Sequence, residues 1–453
     1  MNNRPDNTLA YFDQTFFLSL RALGQGPIGQ YVWVYDHDVD VEALRRFHTN
    51  LGRGLLGRRV ERSTLPFGRH SWISWPGPFD VEVGSGPLPR SGIRNWVDEQ
   101  ARIWVDPEHG PSWRLAVQPL IGGGAVVTLV ISHTVADGGL GVLAIADAVK
   151  GVTHDLGYPQ PRSRGRFRAL LHDLRVTARS TKDVARALAA IPSAAKDIPR
   201  WKQAARKAPA PVRAEAGAGK GSGRTVTLLS ALARIEIERW DERAASLNGT
   251  SNSLFLAVTA KLGEALGMVN AEGLVNFAIP VSERAEGDHV GNALSGVTLS
   301  VDPAAVSTDL TSVRAGLKAA LSGLVDDPNA LGGPLAITPF VPKILARQAE
   351  RVGVKNMAIN CSNLGNIDPA VNRPDGTDAE SFSVRGIWAR VNCRTSPLAL
   401  PGGFLFPVVS GRLNGTVFMN VNYATPDKSF TRERLIEMLE GVLADFGIEA
   451  KVS

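Results

Sequence analysis

The segment KAPAPVRAEAGAGKGSGR (207–224) divides the chain, because it is rich in Ala, Pro and Gly. Such a composition is typical of a linker, since it offers no periodic apolar face to bury. On each side of it, strand-like runs alternate with amphipathic helical runs, and the order of elements partly repeats without any repeat in sequence. The pattern predicts an α/β pseudo-dimer of two-layer lobes, residues 1–155 and 224–453, joined by a basic crossover and linker segment over 156–223.

Composition indicates a folded globular protein. Hydrophobic residues make up 44% and charged residues 21% of the 453 residues, so large cores can form. The two cysteines, Cys361 and Cys393, do not suggest a disulfide framework or a zinc cluster, and they favour a reducing cytoplasm. The N-terminal residues lack the pattern of a signal peptide, and no apolar run reaches the ~18 residues of a membrane-spanning helix. We therefore expect a cytoplasmic protein without a bound metal.

The basic part of the crossover has two interpretations. RFRALLHDLRVTARSTKDVARAL combines cations with apolar residues at helical spacing. The cations are Arg166, Arg168, Arg175, Arg179 and Lys182, and the apolar residues are Phe167, Leu170, Leu171, Leu174 and Val176. The helix either lies in a membrane interface or packs on a lobe with its charges in water, and the second interpretation is slightly favoured. We expect no nucleic-acid partner. GAGKGSGRT is not a phosphate-binding loop, because Ala214 stands where its first glycine belongs.

The stretch TLVISHTVADGGLGVLAIADAV (128–149) carries the chemistry. An apolar strand ends at Ser132, and His133, Asp137 and Gly138 follow before a helical pattern begins. Histidine is the natural general base near neutral pH, and the chain has no G-x-S-x-G nucleophile at a strand end. A lone base is suited to direct attack by an acceptor hydroxyl or amine on an activated acyl group. Asp137 either orients the imidazole or pairs with an arginine, and the alternative for His133 is an ordinary surface histidine.

The His-x-x-x-Asp-Gly arrangement at a strand end resembles the CoA-dependent acyltransferase superfamily. The superfamily includes chloramphenicol acetyltransferases, plant acyltransferases, condensation domains of nonribosomal peptide synthesis, polyketide-associated acyltransferases and bacterial wax ester synthase/diacylglycerol acyltransferases. Many members have two histidines in the motif, and Ser132 stands in the first place here. Residues 111–139 are similar to the superfamily's segment that leads into the motif. IPVSERAEGDHVGNALSG (279–296) and, more loosely, INCSNLGN (359–366) resemble the wax ester synthase/diacylglycerol acyltransferase branch, and the three stretches stand in the right order. The chain as a whole is most similar to that branch and to the polyketide-associated acyltransferases.

The resemblance implies chloramphenicol-acetyltransferase-like lobes with a central tunnel and the general base at its centre. It implies that His133 is the base, that Asp137 is structural and paired with an arginine, for which Arg284 is our candidate, and that Gly138 supports the motif. Asn292 is expected in a turn near the tunnel. Asn363 or the neighbouring Ser362 is a candidate donor to the oxyanion. The alternatives are an ordinary loop cation for Arg284, a surface turn for Asn292 and a turn-forming role for Asn363.

The resulting hypothesis is an acyltransferase that moves an acyl group from acyl-CoA or an acyl carrier protein to a hydroxyl acceptor. The acceptor classes are long-chain alcohols, diacylglycerol, glycolipids and polyketides, and no cofactor is needed besides the donor substrate. One alternative is an amide-forming enzyme of the condensation type. The other is a non-catalytic descendant that binds an acyl carrier or a lipid, which the loss of the first motif histidine favours. Peripheral membrane contact is a further expectation.

Overall fold

The computed structural model describes residues 6–24, 26–78, 80–163, 165–207, 227–326, 333–344, 358–388, 404–405 and 407–453. Most of the linker that we predicted over 207–224, the rejected GAGKGSGRT loop and Cys393 lie outside these residues. Of the described helices, none is long and apolar enough to cross a membrane.

The first lobe is built on a sheet of five strands in the order β11-β1-β6-β5-β4. Its strands are β1 (Pro27–Tyr35), β4 (Glu82–Val83), β5 (Trp113–Pro119), β6 (Ala125–Ser132) and β11 (Ser381–Trp388), and a separate ribbon pairs β2 (Arg58–Glu61) with β3 (Ser71–Ser74). The helices are α1 (Tyr11–Leu23), α2 (Val41–Gly52), α3 (Ile93–Arg102) and α4 (Gly138–Val149).

β6 occupies the middle of this sheet, and all eight of its residues are buried. It pairs antiparallel with β5 through a turn in which Gly122, Gly123 and Gly124 all have positive φ, a conformation that glycine adopts without strain. β5 and β6 therefore form a tight antiparallel hairpin. Apolar side chains of β1 and β6 pack against α2 and α4 to form the first core.

The second lobe is built on a sheet of eight strands in the order β15-β7-β14-β13-β10-β8-β9, with β12 paired to β14. Its strands are β7 (Thr227–Glu236), β8 (Val275–Ser282), β9 (Leu294–Val301), β10 (Ile359–Asn366), β12 (Phe404–Leu405), β13 (Val408–Leu413), β14 (Thr416–Thr425) and β15 (Lys451–Val452). The helices are α6 (Ile237–Ser246), α7 (Ser251–Ala265), α8 (Thr311–Asp326) and α9 (Arg432–Asp445), and they cover a second, separate core.

Strand β11 belongs to the second half of the chain by sequence but to the first sheet by its pairing. This strand follows β10 of the second lobe in sequence, but it pairs antiparallel with β1 over eight residues, from Pro27 opposite Trp388 to Val34 opposite Ser381. The second half of the chain therefore completes the sheet of the first half and links the two lobes. The boundary predicted at 224 separates the remaining strands but not β11.

The crossover contains α5 (Arg166–Lys207), which packs on a 3-10 helical segment, Gly333–Phe340. Thr64 donates from its backbone N and its Oγ1 to Asp173, at 2.6 and 2.8 Å. The Tyr11 hydroxyl donates to Asp183 at 2.8 Å. Helix α5 is thus fixed on the first lobe through its acidic side chains.

Candidate functional site

The short turn between β6 and α4 carries both His133 and Asp137. Asp137 is the N-cap of α4, and its Oδ1 accepts a hydrogen bond from the backbone N of Leu140 at 2.7 Å. This bond satisfies one of the free N–H groups at the start of a helix, which is why Asp is favoured there. The buried strand β6 ends at Ser132, so His133 is the first residue beyond it and is half-buried.

Asp137 also forms an ion pair that joins the two halves of the chain. Arg284, the cation that we expected beside it, follows β8 and donates from Nη2 to Asp137 Oδ2 at 2.7 Å. The side chains are 3% and 10% exposed, so the pair is nearly removed from water. The backbone N of Ala293 donates to the same Oδ2 at 3.0 Å, and Arg284 Nη1 donates to the Val290 carbonyl at 2.8 Å. Asp137 therefore points away from His133 and organises the loop that follows β8.

That loop brings Asn292 to the imidazole. Asn292 Oδ1 lies 2.9 Å from His133 Nδ1. Its Nδ2 donates to two acceptors, the His133 carbonyl at 2.9 Å and Asp13 Oδ1 at 2.8 Å. Because both acceptors require the amide nitrogen, the amide oxygen must face the ring, and it accepts from Nδ1–H. The proton is thereby held on Nδ1, and Nε2 keeps its lone pair.

Burial favours the neutral form of this histidine. Desolvation lowers the pKa of His133 from its ordinary value, and the charge of Asp137 opposes part of that effect. The ring is therefore neutral near pH 7, with a basic nitrogen at Nε2. A proton acceptor at this position is able to take a proton from a hydroxyl or an amine.

Asp13 is a site residue that the sequence analysis missed. It lies in α1, it is 0% exposed, and it accepts hydrogen bonds from Asn292 and from the backbone N of Ala10. Burial raises the pKa of Asp13 to about 6, although Arg58 and the Asn292 bond oppose the rise. The signal in the sequence was an acid on the buried face of an amphipathic helix, one turn before Phe17.

Arg58 was missed as well, and it holds the two loops of the site together. Its Nη2 donates to the Val135 carbonyl at 2.7 Å, inside the motif turn, and its Nη1 donates to the His289 carbonyl. The guanidinium is 4.8 Å from the centre of the Trp72 ring. A Cβ at Gly291 would lie 2.7 Å from Asp13 Oδ1 and 3.0 Å from the Val135 oxygen, so only glycine fits where these loops meet.

An apolar surface lies beside the imidazole. The ring of Phe16 is 4.8 Å from that of His133, centre to centre. Phe16 also lines a small cavity, whose other lining residues are Leu20, Gly26, Pro27, Ile28, Trp104, Val105, Ser132 and Thr134. Ser132, which stands in the first motif position, is buried. Whether a tunnel runs past His133 stays a prediction.

The structure does not join Asn363 or Ser362 to His133. Asn363 Oδ1 accepts from the backbone N of Gly365 at 2.9 Å, and its Nδ2 donates to Asn252. These are the bonds of a turn-forming asparagine. The end of β10 nevertheless reaches the motif, because a Cβ at Gly138 would lie 2.9 Å from Leu364 Cδ2. Among the described residues, no three His, Cys, Asp or Glu side chains are grouped so as to hold a metal ion.

Replacement of Asp13 by Asn should weaken the preference of His133 for the tautomer that is protonated on Nδ1. Only a carboxylate accepts from both Asn292 and the Ala10 backbone, so an amide at position 13 leaves one donor facing another. Only the His133 carbonyl then holds the Asn292 amide nitrogen in place, so Asn292 presents Oδ1 to the ring less strictly and the second tautomer of His133 becomes populated. Ring ¹⁵N chemical shifts at pH 7.5 measure this directly. Asp155→Asn, on an exposed turn, is the matched control. A ring that stays protonated on Nδ1 in Asp13→Asn contradicts the assignment.

Replacement of Arg284 by Met should destabilise the protein strongly. The change leaves the Asp137 carboxylate buried without its cation, and breaking such a pair costs ~3–5 kcal/mol. Urea unfolding measures the loss. Arg239→Met is the control, because Arg239 pairs with Glu236 and Glu449 at the surface, where solvent screens the charges. Equal stability of the two variants would show that Arg284 is an ordinary loop cation.

Comparison with known proteins identifies the fold. No protein-family model matches the sequence, and a search of the curated proteins finds no match. The solved structure of the first condensation domain of the calcium-dependent antibiotic synthetase is similar, with a TM-score of 0.55 and 15% identity over 99% of this chain and 100% of that one. The wax ester synthase/diacylglycerol acyltransferase of Marinobacter aquaeolei VT8 gives 0.54 and 14% over 97% and 98%.

A third similar structure is polyketide synthase associated protein 5 of Mycobacterium tuberculosis, with a TM-score of 0.52 and 12% identity over 96% of this chain and 97% of that one. All three likenesses extend over nearly the whole chain, at identities that establish the fold alone. The predicted fold class is confirmed. The chain has the two-lobed α/β fold of these condensation-domain and acyltransferase structures.

Proposed function

We propose that this protein is an acyltransferase that moves an acyl group from a thioester donor to a hydroxyl acceptor, with His133 as the general base. The observation that carries the proposal is the bond from His133 Nδ1 to Asn292, which leaves Nε2 unprotonated on a half-buried ring. The contacts of His133, Asp137 and Arg284 across the two halves of the chain support it. The donor is acyl-CoA or an acyl carrier protein.

The reaction proceeds by direct attack. Nε2 of His133 takes the proton of the acceptor hydroxyl while the oxygen attacks the thioester carbonyl carbon. The C–S bond then breaks, the acyl group remains on the acceptor oxygen as an ester, and the imidazolium returns the proton to the thiolate. The charge of Asp137 stabilises the transient imidazolium, since it favours the protonated ring. No group of the protein is acylated.

The other residues position the base. Asn292 holds the tautomer, Asp137 and Arg284 hold the loop that carries Asn292, and Gly138 admits β10 to the start of α4. Asn363 and Ser362 remain candidates for stabilising the oxyanion. To act as the donor, Asn363 has to exchange its Nδ2 bond to Asn252 for one to the substrate.

An amine acceptor, which would give an amide, is the second candidate. It is supported by the similarity to condensation domains, including that of the calcium-dependent antibiotic synthetase. The hydroxyl acceptor is supported by the similarity to the wax ester synthase/diacylglycerol acyltransferase. The same base serves both reactions, so a panel of alcohols and amines separates them. A protein that binds the donor and turns over neither class is the non-catalytic alternative.

Replacement of His133 by Ala should lower the rate of thiol release from acyl-CoA, in the presence of the preferred acceptor, by ~10²–10⁴-fold. Because burial lowers the pKa of His133, the wild-type rate should fall on acidification with a midpoint below the ordinary pKa of histidine. His37→Ala is the control, since His37 is exposed and bonded to Asp36 and Thr377. Full turnover by His133→Ala would refute the mechanism.

Contact with an anionic membrane is part of the proposal, and α5 is the surface that supports it. Phe167, Leu170, Leu171 and Leu174 form one helical stripe, and they are 72%, 37%, 48% and 48% exposed. Arg168, Arg175, Arg179 and Lys182 are exposed beside it. Asp173 and Asp183 instead bond to Thr64 and Tyr11 of the first lobe. The outer side of this helix is therefore apolar and basic, a combination suited to anionic lipid.

The double variant Phe167→Ser/Leu171→Ser should lose binding to vesicles by ~10-fold or more. Phosphatidylcholine vesicles with and without phosphatidylglycerol are sedimented with the protein, at low and high salt. Wild type should follow the vesicles that contain phosphatidylglycerol, and salt should weaken that binding. Leu143→Ser removes an apolar side chain of 40% exposure from α4 and should bind like wild type. Wild type that stays in the supernatant would show α5 to be a crossover helix only.

A further inference from the structure

A cluster of arginines lies on the face of the first sheet opposite α2 and α4, where α3 and the second lobe meet it. Its centre is Asp98 of α3. Arg385 of β11 donates from Nη1 to Asp98 Oδ1 at 2.6 Å, and Arg432 at the start of α9 donates from Nη2 to Asp98 Oδ2 at 2.6 Å. Asp98 thus bridges the lobes, and each of its oxygens is used by a different guanidinium.

Two more arginines belong to this cluster. Arg94 precedes Asp98 by four residues in α3, so both lie on one side of the helix. Arg234 lies on the same face of β7 as Ser230, whose Oγ accepts from Arg385 Nη1 at 3.0 Å. Within the described part of the chain, neither Arg94 nor Arg234 forms a salt bridge. Four guanidinium groups therefore face one carboxylate, which leaves a net charge of about +3 on simple counting.

The donors of the cluster are not all satisfied. Arg385 is 3% exposed, and its Nη2 is buried without a hydrogen-bond partner. Nε of Arg432 and Nε of Arg234 are in the same condition. Burial and the charges of Arg432, Arg385 and Arg234 lower the pKa of Arg94 to about 10, although Asp98 opposes the shift. Buried donors without acceptors and repelling cations both destabilise a fold, and an anion beside the half-buried arginines relieves the repulsion.

The cluster is accessible and lies on the face of the sheet from which the Ser132 side chain projects. Arg94, Arg234 and Arg432 are half-buried, so a ligand can reach them from solvent. Arg385 is opposite Gln30 and Ser132 is opposite Ile28, so both side chains project from one face of the sheet. Strand spacing and rise place their Cα atoms about 12 Å apart. The cavity lined by Ile28, Ser132 and Trp104 also lies on this face.

We propose that Arg94, Arg234, Arg385 and Arg432 form a binding site for the phosphate ester of a phosphopantetheine arm. Guanidinium groups bind phosphate through paired, charge-assisted hydrogen bonds. Arg94 and Arg234, which are half-buried and form no salt bridge among the described residues, supply them. The assignment rests on the proposed function, because the thioester donor is what carries such an arm. CoA and carrier proteins share this chemistry, and the site is expected to recognise the group that both contain.

The test measures binding and stability without turnover. By calorimetry, CoA and phosphopantetheine should bind at least tenfold more tightly than pantetheine, which lacks the phosphate. Arg94→Gln and Arg234→Gln should each weaken CoA binding at least tenfold and leave the affinity for pantetheine unchanged. Because these variants remove a repelling cation, the Tm without ligand should rise in both, and CoA should raise their Tm less than it raises that of wild type. Arg239→Gln, an exposed arginine of the second lobe, is the control.

Two results would contradict the proposed phosphate site. A lower Tm in both variants with unchanged CoA affinity would show that the cluster only clamps the lobes together, and would overturn the proposal. A carrier protein with and without its phosphopantetheine distinguishes the two sources, since only the modified form should compete with CoA. Loss of turnover in His133→Ala with intact CoA binding leaves this site in place. If the protein is an active transferase but its CoA affinity is the same in Arg94→Gln, Arg234→Gln and wild type, the phosphate site is refuted and the proposed function is not.

Discussion

The buried ion pair between Asp137 and Arg284 is the contact on which the site depends. It joins the turn after β6, from the first half of the chain, to the loop after β8, from the second half. Because Asp137 also caps α4 and accepts from Ala293, one carboxylate fixes the start of a helix and the position of Asn292 together. The cost of leaving either charge alone in a buried environment makes this geometry hard to relax.

Two buried carboxylates and two arginines hold the loops that surround the His133 imidazole. Asp137 is neutralised directly by Arg284, whereas Asp13 has only hydrogen bonds and the more distant charge of Arg58, so burial raises its pKa to about 6. The same Arg58 reaches backbone carbonyls in both loops of the site. The polar network is therefore built to fix the orientation of one asparagine, and through it the proton on His133.

The arginine cluster around Asp98 has the opposite character. The buried charges of Asp137 and Arg284 are paired with each other, while Arg94 and Arg234 form no salt bridge among the described residues. Natural folds tolerate such an imbalance where binding requires it, because stability and function are often opposed at binding sites. The contrast between these two sites of one protein is the physical basis for assigning the first to positioning and the second to an anion.

Local patterns determined much of this protein. The strand of apolar residues before His133, the glycine turn between β5 and β6, the helix that begins at Gly138 and the two-lobed α/β organisation all follow from residues close together in sequence, because periodicity and turn chemistry are local properties. Arg284 and Asn292 were identified through a resemblance, since no local rule joins residue 137 to residue 284. Only the tertiary structure decided the roles of Asp13 and Arg58, the local bonds of Asn363 and the pairing of β11 with β1. Each of these depends on which distant surfaces meet and on how much water they exclude, and the pattern of a single chain does not contain that information.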